Sequence, residues 1–297
     1  MHPSIRTGRR VEVQPGIHLH CAETGTPGAP LIVFLHGFPE FWGAWKDILP
    51  RFAQGWHAVA PDMRGYNLSS KPAEVSDYRI DHLVADIEGL ITALGHQDCV
   101  LVAHDWGGAV GWAVAISRPH RVRRLVILNA PHPVPFARLL ASDPNQQKAS
   151  TYMGFLRSEG SEAQLAANDF AMIESFLAAG GTAPAWYDAA TRAAYHAAWG
   201  QPGAIRGGVN YYRATALRSG ADKPVSLDPA AFMVRMPTRV IWGERDRALL
   251  PALLVGLDEV VPDLEVVRLP KATHWLTHED PARVADLIHE FASRQSV

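Results

Sequence analysis

Cysteine is scarce in this sequence, with only Cys21 and Cys99 in 297 residues. Both fall in apolar, strand-like runs, so buried free thiols are expected rather than a disulfide framework. A surplus of charge of one sign is also missing. The 28 basic residues against 30 acidic ones leave a formal net charge of -2. The basic residues are scattered, which provides no face for nucleic acid or an acidic membrane. No apolar run approaches the roughly 20 residues a membrane helix needs. The basic N-terminus is not followed by the apolar stretch of a secretory signal, so a cytoplasmic protein is expected. Repeats, low-complexity tracts and long linkers are lacking too. The 14 histidines form no recognisable zinc motif; His18 and His20 share a strand face without a third ligand and are expected at the surface. With no dinucleotide-binding glycine spacing either, neither a metal nor an organic cofactor is expected.

What is present is enough apolar residue, 47% of the chain, to bury a sizeable core. Short, continuously apolar runs rich in β-branched residues occur at 31–35, 99–103, 125–128 and 239–242, each bounded by Gly, Pro, Asp or Asn. Such runs read as strands buried on both faces of a parallel sheet. Residues 264–269 are strand-like as well. Between the runs lie helical patterns. Leu83, Val84, Ile87, Leu90, Ile91 and Leu94 recur at spacings of three and four and stop at Gly95. Val284, Leu287, Ile288 and Phe291 form a second helix, begun by Asp280 as N-cap and Pro281 in the first turn. The alternation implies an α/β sandwich with a mostly parallel sheet flanked by helices.

The alternation breaks over residues 134–225, which are rich in Ala and aromatics and have no buried-strand run. This stretch reads as an inserted helical cap, with a core domain made of residues 1–133 and 226–297. An insertion leaving one sheet strand and returning to another is expected over the carboxyl ends of the strands, where open α/β sheets bind ligands.

The segment from Cys99 to Gly111 is a buried strand, a turn and a glycine-rich helix start, with Asp105 at the turn. Small residues there let strand and helix pack closely, and the central side chain projects at the top of the sheet. An Asp that only caps a helix would not account for the large neighbours His104 and Trp106. Asp246 follows the buried run at 239–242, and His274 lies between the 264–269 strand and the last helix. Nucleophile, acid and histidine in that order are how a hydrolase elbow assembles its triad.

These residues, with His36-Gly-Phe-Pro-Glu40, Asp62-Met-Arg-Gly-Tyr66, His104-Asp-Trp-Gly-Gly108 and Asn210-Tyr-Tyr-Arg213, resemble the epoxide hydrolase branch of the α/β-hydrolase superfamily over nearly the whole chain. The resemblance implies Asp105 as nucleophile, Asp246 and His274 as its partners, and the Phe38 and Trp106 amides as an oxyanion hole. It also implies two lid tyrosines holding the epoxide oxygen: Tyr212, and Tyr152 as the match for the second, with Tyr211 and Tyr195 as alternatives.

Asp suits such chemistry because it is already ionised at neutral pH, whereas a tyrosine hydroxyl keeps the proton that a departing alkoxide needs. The expected partners are a small-molecule substrate, an epoxide or an organohalide, and at most a second copy in a homodimer. The alternative activity is haloalkane or haloacid dehalogenation with the same Asp. Trp106 fits one halide donor of that reaction and Phe38 stands where the other is often Asn; Trp186 or Trp199 is left to complete the pair. A non-catalytic binding scaffold is the remaining reading.

Overall fold

The continuously apolar runs become the middle of one sheet. The computed structural model describes residues 2–178, 182–217 and 225–294. Its strands are β1 (Arg6–Gln14), β2 (Ile17–Gly25), β3 (Leu31–Leu35), β4 (His57–Pro61), β5 (Cys99–His104), β6 (Val122–Leu128), β7 (Thr238–Gly243) and β8 (Leu264–Leu269). They lie in the order β1-β2-β4-β3-β5-β6-β7-β8. β1 and β2 are antiparallel to their neighbours, and every pair from β4–β3 through β7–β8 is parallel. β3, β5 and β7 are buried at every residue, as strands covered on both faces must be. Because these strands run the same way, the turns that follow β3, β5, β6, β7 and β8 meet at one edge of the sheet.

Two helices follow in this part of the chain: α1 (Ile80–Ala93) packs against β1, and α2 (Asp105–Ser117) packs against β5 and β6 in the middle of the sheet. Between β6 and β7 come α3 (Pro133–Ser142), α4 (Pro144–Ala149), α5 (Tyr152–Arg157), α6 (Ser161–Leu177), α7 (Ala189–Trp199) and α8 (Ala204–Ala214). Residues 179–181 and 218–224 of that stretch lie outside the described residues. The chain closes with α9 (Leu276–Glu279) and α10 (Pro281–Ala292). The Asp280 carboxylate accepts from the Arg283 amide, which is the N-cap its sequence position predicts.

β1, β2 and β4 escape the apolar-run signal. β4 carries His57 and two alanines, and β1 is largely exposed. One expectation is corrected here. His20 is buried, not at the surface, because its strand packs under the turn after β4. Its ring is 2.7 Å from Asp62 Oδ2 and its amide donates to Ser69 Oγ. His18 is half-buried. Cys21 and Cys99 are buried free thiols, as expected.

Candidate active site

Asp105 begins α2 directly after β5 with φ of +51°. A left-handed backbone on a non-glycine residue costs about 1–3 kcal/mol and persists only where the surroundings enforce it. Here the strain aims the carboxylate away from the sheet, toward the β3 turn. The Phe38 amide donates to Asp105 Oδ1 at 2.6 Å. That approach is so close that a Cβ on Gly37 would sit 2.1 Å from the same oxygen, so only glycine fits there. The Trp106 amide lies in the first turn of α2, where helix amides have no intrahelical acceptor.

The other carboxylate oxygen, Oδ2, lies 3.5 Å from Nε2 of His274. On the far side of the ring, Nδ1–H donates to Asp246 Oδ2 at 2.6 Å. Asp246 is buried and fully satisfied, since its oxygens also accept from the Ala248 and Leu249 amides and from the Asn129 side chain. Burial alone would raise the Asp246 pKa, but the His274 charge and these hydrogen bonds hold it below the usual carboxylate value. Burial would likewise lower the imidazole pKa, and the carboxylates of Asp246 and Asp105 outweigh it, keeping His274 well above its ordinary value.

Tyr152 and Tyr212 meet across the same space, with ring centroids 6.1 Å apart. Tyr212 is also held edge-on by Trp106 at 5.0 Å and Phe38 at 5.5 Å. Burial first, then neighbouring groups including the Asp105 charge, raise both phenol pKa values, so the hydroxyls are neutral at ordinary pH. The alternative tyrosines have their hydroxyls engaged: Tyr211, which lines the same cavity as Asp105, donates to the Arg64 carbonyl at 2.8 Å, and Tyr195 to Glu40 at 2.5 Å. Asp105, Trp106, Tyr152 and Tyr212 all line one cavity of about 610 Å³. Trp186 and Trp199 do not line it. Trp186 stacks on His278 and Trp199 donates to the Pro39 carbonyl.

Three supports went unread in the sequence. Asn129, which looked like a strand-ending turn residue, bonds both Asp246 and the Gly243 backbone. Glu40 lies buried beneath the site, taking hydrogen bonds from His278 and Tyr195 and facing His104 Nδ1 at 3.4 Å, while His104 Nε2–H donates to the His274 carbonyl. Arg64 grips Asp86 of α1 through two 2.7 Å bonds. Its neighbour Gly65 touches Gly207 of α8 so closely that a Cβ on Gly207 would lie 2.2 Å from the Gly65 oxygen. Among the described residues, no cluster of three His, Cys, Asp or Glu is disposed to hold a metal ion, and no helix is long and apolar enough to cross a membrane.

Residues 30–281 match the alpha/beta hydrolase fold family. The AB hydrolase superfamily protein YfhM of Bacillus subtilis is 39% identical over 282 residues, covering 94% of this chain and 96% of that protein. Epoxide hydrolase 4 of mouse is 31% identical over 302 residues, covering 99% of this chain and 82% of the relative. Among solved structures, the Bacillus megaterium epoxide hydrolase in complex with an inhibitor superimposes with a TM-score of 0.86 at 34% identity, over 96% of this chain and all of that one.

Proposed function

The chain belongs to the alpha/beta hydrolase fold family, in its epoxide hydrolase branch, and from that premise we propose that it opens epoxides to vicinal diols through an ester on Asp105. The observation that carries the reading is the sharing of one cavity by an aspartate nucleophile and two neutral tyrosines.

In the first step Asp105 Oδ2, the oxygen not bound by the Phe38 amide, attacks an epoxide carbon. The carbon–oxygen bond of the ring breaks, and the departing alkoxide takes a hydrogen bond and then a proton from Tyr152 or Tyr212. The product of this step is an alkyl ester. Esterification removes the Asp105 charge, one of the groups that keep a proton on His274. The imidazole therefore moves toward its neutral, basic form at the moment a base is needed.

In the second step His274 Nε2 takes a proton from water, which attacks the Asp105 carbonyl carbon, while Asp246 holds the ring orientation and stabilises the imidazolium. Negative charge gathers on Oδ1, already seated on the Phe38 amide, with the Trp106 amide as the second donor the family resemblance implies. Donors of this kind are worth about 3 kcal/mol in related reactions. Collapse breaks the bond from the acyl carbon to Oδ2, which takes the proton held by His274 and leaves in the diol. The proton released by the regenerated Asp105 carboxyl restores the tyrosine. Residues 134–225 act as the cap that brings the tyrosines over a core made of residues 1–133 and 226–297.

Dehalogenation would use the same nucleophile. Among the described residues the expected second halide donors do not serve it, because position 38 offers an apolar ring and the lid tryptophans Trp186 and Trp199 face elsewhere. Diol formation from styrene oxide without halide release from dibromoethane is the expected result. The reverse pattern makes the protein a dehalogenase.

A further inference from the structure

The cavity extends well beyond the reacting groups. Asp105 stands at the start of α2, and the cavity continues along that helix past Trp106, Ala109, Ala113 and Ile116, a set spaced by three and four on one face. From Asp105 to Ile116 this path covers eleven helical steps, about 16 Å. After Trp106 the helix is apolar on every side up to Ser117, a pattern that ordinarily means burial all round. Val110, Trp112, Val114 and Ala115 do meet protein and are buried, whereas Ala109, Ala113 and Ile116 are only partly covered. Leu83 and Val84 of α1 wall the groove on one side and Pro133 and Phe136 on another. Among the described residues, the charged groups at its far end are paired, Arg79 with Asp81 at 3.2 Å and Arg118 with Glu88 at 2.8 Å.

We infer that the exposed face of α2 binds an extended apolar arm of the substrate, so that the enzyme takes epoxides at the end of a long hydrocarbon chain, and that Ala109 and Ala113 set the chain length accepted. The inference rests on the epoxide reading of Asp105. Each methylene laid along the groove leaves water for an apolar floor. The two alanines keep the floor low where a larger side chain would fill the groove. Among the described residues, the charges beyond them are already engaged with one another.

The test compares kcat/KM for epoxydodecane and epoxybutane. The wild-type ratio is expected to be at least about tenfold in favour of the long chain, by analogy with the discrimination that even one methylene produces in an apolar pocket. Ala113→Phe should bring the ratio close to one. Because the ratio is independent of how much of the variant is folded, a poorly folding variant does not obscure it. Equal rates on both epoxides in the wild type, or an unchanged ratio in Ala113→Phe, overturns the inference. If neither epoxide is opened, it is the epoxide reading that fails. The groove is then judged by calorimetric binding of dodecanediol, which should weaken at least about tenfold in Ala113→Phe; equal binding overturns it.

Discussion

The Phe38 amide lies 2.6 Å from Oδ1 of Asp105 and makes the two oxygens of that carboxylate inequivalent. One accepts from the backbone and the other faces the imidazole at 3.5 Å; on the proposed mechanism the first carries charge later and the second attacks.

Single turnover in ¹⁸O-water is therefore expected to give a first diol without label, since its new oxygen comes from Asp105; label in that first product rules out the ester. His274→Gln should stop the second step and leave a substrate-sized mass adduct on the peptide containing Asp105.

Removal of the tyrosine hydroxyls tests the other half of the chemistry. Tyr152→Phe and Tyr212→Phe should each slow ester formation, and the double variant should lose about 10²–10⁴-fold, the range for a positioned general acid. Pre-steady-state quenching of tryptophan fluorescence, with Trp106 beside Tyr212, gives the alkylation rate. An unchanged rate in the double variant would mean that another donor serves the alkoxide.

Gly37→Ala is a sharper probe than its size suggests. The added methyl would collide with Asp105 Oδ1, and an ångström of misplacement at a reacting group can cost about 10²-fold in rate. A loss of that order in kcat/KM, with a melting temperature lowered only slightly, is expected.

The same glycine marks the boundary of what the sequence made legible. Asp105 and Asp246 could be placed beside one another because each follows a buried apolar run, and His274 because it follows the partly buried strand at 264–269; position relative to a strand end survives in one dimension. Tyr212 and Tyr152 needed the resemblance, since nothing in the spacing of the aromatics of residues 134–225 separates a side chain that lines the Asp105 cavity from one whose hydroxyl is bound to Arg64 or Glu40, as with Tyr211 and Tyr195. Gly37, Asn129 and Glu40 act across the fold, and no local pattern shows which backbone a residue will meet 60 or more positions away. His20 misled for a similar reason: alternation places it on a face, and the turn from Asp62 to Ser70 decides that the face is covered.

The His274–Asp246 pair also sets a pH window for stability. The imidazole pKa is raised in the folded protein, so its contribution is complete below the ordinary value of about 6.5 and is lost as pH climbs through the raised one. Asp246 is depressed, so its contribution is present above about 3.9 and is lost as pH falls through the folded value. The difference in Tm between wild type and His274→Gln should therefore be largest between about pH 5 and 6.5 and shrink on the alkaline side. A difference that grows with alkalinity would contradict the ion pair.

Glu40 is wholly buried, and although burial opposes its ionisation, His278 and His104 keep its pKa far below the usual range. Glu40→Gln should destabilise the fold by about 3–5 kcal/mol, the cost of breaking a buried charge arrangement, measured by urea unfolding. A loss under 1 kcal/mol, on the order of an exposed pair, would show that the cluster is not ionised.

Tyr211 and Tyr212 are neighbours on α8, yet the hydroxyl of one is anchored to Arg64 and the other packs against Trp106 and Phe38 beside Asp105. Rotation of α8 by a single residue would turn Tyr211 to the present direction of Tyr212 and carry Tyr212 away from it. What prevents it is remote from substrate: the Gly65–Gly207 contact, the Tyr211 bond to Arg64, and the two bonds from Arg64 to Asp86. On the proposed mechanism the acid is thus indexed like a key cut to one angle, while the inferred α2 floor is free of that constraint. Mutational drift can reshape which molecules enter without moving the proton that opens them.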